Sequence, residues 1–68
     1  MVNFGAIARK RRQKLGWSQQ TVADKALCHR ETVWAFENND RRIGLDMAQD
    51  IFKVLGLELI VREAQHDD

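Results

Sequence analysis

The chain has 68 residues, with Lys and Arg together 11, Asp and Glu together 10, one cysteine and no proline. That length gives one domain with a modest core, and a single Cys28 excludes a disulfide framework. Two histidines, His29 and His66, with one cysteine do not make a zinc site, and the longest apolar run, "VLGLELIV", is far too short for a membrane span. One free thiol and no signal peptide fit a reducing cytoplasm.

The net charge of +1 is the sum of two unlike parts. From Arg9 to Arg42, nine basic residues face four acids; from Ile43 onward, two basic residues face six acids. A basic front and an acidic back suggest a polyanion partner on one side. The alternative is a solvated basic helix face.

In chain order, residues Asn3 to Leu15 predict a helix with Phe4, Ile7, Ala8 and Leu15 as its apolar stripe, Asn3 as N-cap and Gly16 as stop. "WSQQTVADKAL" opens a short second helix with Ser18 as N-cap and Val22, Ala23 and Ala26 on its buried side. After a break near Leu27–His29, a third helix runs from about Arg30 to Asn38, with Asn38-Asn39 ending it. "NDRRIG" is a loop. A fourth helix, "LDMAQDIFKVLG", carries Leu45, Ala48, Ile51, Phe52 and Leu55, with Gly56 as C-cap.

The period then changes. "LELIVRE" alternates Leu57, Leu59 and Val61 against Glu58, Ile60 and Arg62, a strand pattern. With no second strand in the chain, its expected partner is the same strand of another copy, which places Leu57, Leu59, Ile60 and Val61 at a homodimer interface. The alternative is an irregular tail packed on its own chain.

"QQTVADKALCHRETVWAFEN" has the spacing of two short helices joined by a turn of about three residues, with small Ala23 where they cross. It resembles the helix-turn-helix of the lambdoid phage repressors and of the wider Xre family, as do the basic first helix and "LDMAQDIFKVLGLEL". The resemblance implies an all-α, lambda-repressor-like domain of four to five helices with a C-terminal β-strand paired across a homodimer. On this reading, 1–56 is the DNA-binding domain, 57–63 its dimerising strand and 64–68 a disordered acidic tail.

The resemblance also implies a site on double-stranded DNA. Arg30, Glu31 and Ala35 match the family's reading positions. Arg suits guanine, Glu cytosine N4 and Ala a thymine methyl, and Thr32 is within reach of base or phosphate. Gln19 matches a phosphate-contacting glutamine and Asn38 a backbone-contacting asparagine, while Arg41 and Arg42 fall in a loop near the flanking strand. Ser18 and His29, at the N-caps, complete the expected DNA-backbone set. Glu31 has a duller alternative as a helix-dipole partner, and the Arg9 to Lys14 cluster reads as general electrostatics. Trp34 is open between the sugar-phosphate wall, a neighbouring helix and a protein partner.

The sequence departs from the family pattern at Leu27 and Asn39, where glycine is usual, and at Ile43, where proline is frequent. Leu27 implies strain if the backbone keeps a positive φ. "DIFKVLGLELIVRE" with a short acidic tail further resembles the C-terminus of HipB-type antitoxins. That implies a repressor of its own operon with a HipA-type kinase toxin as partner. A stand-alone phage or restriction-modification regulator, and a protein-interaction module using the helices as scaffold, are the alternatives. No cofactor, membrane contact or catalytic centre is expected.

Overall fold

A computed structural model describes residues 2–60 and 63. It contains four α-helices: α1 (Phe4–Lys14), α2 (Gln19–Ala26), α3 (Arg30–Glu37) and α4 (Leu45–Val54). The expected caps form. Asn3 accepts the Ala6 N–H at 2.8 Å and Ser18 that of Thr21 at 3.0 Å, each relieving one of the unpaired donors at a helix start. Gly16 and Gly56 end α1 and α4 with φ of 72° and 73°, a region that costs glycine nothing.

The core is Ala8 from α1, Val22 and Ala23 from α2, Val33 and Phe36 from α3, and Ile51, Phe52 and Leu55 from α4 and its end. Phe52 is its aromatic hub. It meets Phe36 edge-on at 5.6 Å and Phe4 at 5.9 Å, the T-shaped geometry that ring quadrupoles favour. Gly5 is where α1 crosses the end of α3: a Cβ there would lie 2.6 Å from the Glu37 carbonyl oxygen and closer still to that of Phe36. Asn39 takes a left-handed φ of 59° and its Oδ1 accepts the Gly5 N–H at 3.2 Å. The asparagine in place of a glycine therefore adds a bond that glycine cannot make.

Several expectations are corrected. Phe4, Ile7 and Leu45, placed on apolar stripes, are exposed, Phe4 in spite of its contact with Phe52, because α1 turns Gly5, Ala8 and Arg12 inward and Leu45 sits in the first turn of α4. Of the basic run in α1, two members are structural rather than general electrostatics. Arg11 Nε donates to the Leu55 carbonyl at 2.9 Å, tying α1 to the end of α4, and Arg12 is drawn under α3.

Leu57–Ile60 form no regular element in the single chain; Leu57 and Leu59 pack on the core while Glu58 and Ile60 are exposed. The alternation is thus retained without a ladder, as a segment lacking a paired neighbour must be. Val61 and the 64–68 tail lie outside the described residues. Among the described residues no helix is long and apolar enough to cross a membrane.

Candidate nucleic-acid interface

The turn between α2 and α3 is three residues, Leu27–His29. It is closed by Cys28 N–H donating to the Ala23 carbonyl at 3.0 Å. Leu27 adopts φ 56°, ψ 46° with a side chain 92 % exposed. The family's turn geometry is therefore kept, and the leucine carries the left-handed strain itself, costing roughly 1–2 kcal/mol. Ala23, fully buried, lets the two helices approach. The Cys28 thiol, packed against the core, is pushed above its ordinary pKa by burial and then by the charge of Asp50.

Below α3 lies a bond network that sequence reading missed. Arg12 Nε and Nη2 donate to Glu37 Oε2 and Oε1 at 2.7 and 3.0 Å, and Arg12 Nη1 donates to the Trp17 carbonyl at 3.0 Å. Gln19 Nε2 donates to the same Glu37 Oε1 at 3.2 Å. The hydrogen bond to Glu37 raises the Arg12 pKa further, against the cost of its burial. The signal was present in the sequence. Arg12 follows Ala8 by four residues and Glu37 follows Val33 by four, so each charge sits on its helix's buried row. A cation and an anion in such places must find each other.

This network fixes Gln19 and the end of α3 to one frame. One Gln19 amide N–H is used in its bond to Glu37, and Gln19 opens α2, where backbone N–H groups at a helix start favour an anion. α3 carries two rows at four-residue spacing, Arg30–Trp34–Asn38 and Glu31–Ala35. Arg30, Glu31, Trp34 and Asn38 are exposed and Ala35 is half-buried. The structure brings three of the sequence-predicted residues, Gln19, Arg30 and Glu31, to one cleft, while Ala35 follows Glu31 one helical turn further on. Thr32 is half-buried at the margin, between this face and the core.

The remaining expected contacts are more committed to the fold. Ser18 Oγ already caps α2 and bonds the Thr21 hydroxyl at 3.0 Å. Asn38 Nδ2 donates back to the Trp34 carbonyl at 2.8 Å. Arg42 grips its neighbour, with Nη2 2.6 Å from Asp40 Oδ2. That bond, with the Arg42 backbone N–H, holds the Asp40 carboxyl at a pKa of about 2. His29 makes no side-chain cap bond, and Arg41 is exposed in the loop. The two ion pairs of the described residues use Arg12 and Arg42, and neither involves Arg30.

Two short helices joined by a three-residue turn and crossing at a small buried alanine form a helix-turn-helix. Residues 9–61 match the family model described as Helix-turn-helix, and the chain belongs to that family of DNA-binding transcription regulators. No curated protein and no solved structure gives a significant match to the chain.

Proposed function

We propose that the chain is a transcription repressor that binds a palindromic operator as a homodimer, with Arg30, Glu31, Thr32 and Ala35 reading base edges. In this reading Ser18, Gln19, His29, Asn38, Arg41 and Arg42 meet the DNA backbone. The observation that carries it is the outward face of α3: Arg30 stands exposed on the same side as Gln19 and the start of α2. A recognition helix needs that pairing, with base contacts on one element and a phosphate anchor on the next.

Dimerisation is supported by the alternation of Leu57 to Ile60 and by Ile60, which is 70 % exposed in the single chain. Pairing of this segment across a twofold axis would set two α3 helices about one helical turn, ~34 Å, apart. From Ile43 onward the chain is acidic, with six acids against two basic residues, a charge that suits a partner other than DNA. It supports the narrower reading as a HipB-type antitoxin that holds a kinase-like toxin there. The function is binding, not catalysis.

The test is selection of bound sites from randomised duplex DNA, with the winner titrated over a range of salt. A palindrome with half-sites about one turn apart, bound far more tightly than random DNA, is the expected result. Weak binding that depends on salt and ignores sequence would leave only the electrostatic contribution and refute the repressor reading.

A further inference from the structure

Trp34 is 57 % exposed on α3, a large apolar surface to leave in water within a domain this small. Its surroundings narrow what covers it. It does not pack into the core formed by the four helices. Instead the indole lines a cleft of about 170 Å³ with Gln19, Arg30 and Glu31. Trp34 follows Arg30 by one helical turn, so the two share a row. Gln19 belongs to the other helix. The indole therefore shares its cleft with the residue at the front of α3 and with the start of α2, where backbone N–H groups favour an anion.

We propose that Trp34 is a DNA-contacting residue whose indole face packs on the deoxyribose of the strand passing the N-terminus of α2, setting the depth and tilt of α3 in the major groove. The inference rests on the DNA-binding reading above. The chemistry on either side selects this occupant. Gln19 and the cationic Arg30 line the cleft beside the indole, and Glu31 completes its lining. A sugar-phosphate edge offers an apolar ring face bounded by anionic oxygens, which matches an indole flanked by donors. A protein seated on Trp34 would have to cover Arg30 as well, and so would occupy the reading face.

The contact is neutral, and this gives it a signature. Removing it releases no counterion, so the dependence of affinity on salt stays as it was, whereas loss of a phosphate-bound cation lowers that slope by about one. Because the packing requires α3 to be seated, it contributes to the operator complex and little to loose binding on random DNA.

The test uses Trp34→Ala and Trp34→Phe in the full chain, titrated against the selected operator and a random duplex at several salt concentrations. Trp34→Ala is expected to weaken operator binding about tenfold or more, with less change on random duplex, an unaltered salt slope and an unaltered melting temperature. Trp34→Phe should recover much of the loss. In the unaltered chain, the Trp34 indole N–H resonance, assigned by its absence in Trp34→Phe, should shift on operator addition. Operator binding by Trp34→Ala equal to that of the unaltered chain would overturn the inference and assign the exposed indole to a protein partner. Failure of the unaltered chain to prefer any duplex would instead remove the repressor reading, and this inference with it.

Discussion

Arg12 and Glu37 form a two-point ion pair, Nε to Oε2 at 2.7 Å and Nη2 to Oε1 at 3.0 Å, with side chains only 13 % and 4 % exposed. It joins α1 to the last residue of α3, and through Gln19 it reaches the start of α2. A pair buried this far adds little stability over well-packed apolar residues, but breaking it by removing one partner strands the other charge. Glu37→Ala is therefore expected to cost about 3–5 kcal/mol in denaturant unfolding. The double replacement Arg12→Met with Glu37→Leu should cost clearly less than Glu37→Ala alone. Equal or greater cost for the double variant would mean that the pair's geometry, not its uncompensated charge, is what the fold needs.

Leu27 gives a prediction of opposite sign. Its side chain is almost wholly exposed and its backbone left-handed, so the single chain loses no burial when the side chain is cut away. Leu27→Gly relieves roughly 1–2 kcal/mol of strain and returns about 0.4–1 kcal/mol through the freer unfolded chain. The melting temperature should rise modestly. A fall would show that Leu27 is covered in solution, by a second copy or another partner.

On the proposed homodimer, the segment from Leu57 to Ile60 separates folding from pairing. Leu57 and Leu59 pack on the domain's own core, whereas Ile60 does not. A charge placed at Leu59 would therefore disturb both. A chain ending at Leu59 keeps the two core leucines and loses Ile60 and all that follows. By light scattering it should be monomeric, with helix content unchanged. A truncated chain that stays dimeric would place the interface elsewhere.

Much of this was legible in the sequence because its causes are local. Asn3, Ser18 and Gly16 are caps and stops whose chemistry acts within one turn, and Ile51, Phe52 and Leu55 repeat at helical spacing. The strain at Leu27 was legible only through the resemblance, which has a glycine there, and only if the backbone kept a positive φ. What was not legible depends on which azimuth of a helix meets its neighbour. The run "RKRR" looks uniform, yet Arg11 serves the Leu55 carbonyl, while Arg9, Lys10 and Lys14 stay exposed. Arg12 and Glu37 could have been matched from their places on the buried rows, but which partner each meets is set by the crossing of α1 and α3. Gly5 drew no notice because its role is a backbone crossing set by α3. The surroundings of Trp34 come partly from another helix, whose Gln19 shares its cleft with Arg30, and nothing local to α3 indicates that.

The central claim is that α3 reads base edges from Arg30 onward. Its most direct measurement is the affinity of the unaltered chain and of Arg30→Ala for the selected operator and for operators changed at one base pair at a time. Arg30→Ala should lose about 1–3 kcal/mol on the parent operator. At one position per half-site the two proteins should converge, because the base change has already removed what Arg30 contacts. A loss of equal size on every sequence, with a shallower salt dependence, would make Arg30 a phosphate contact and contradict the account.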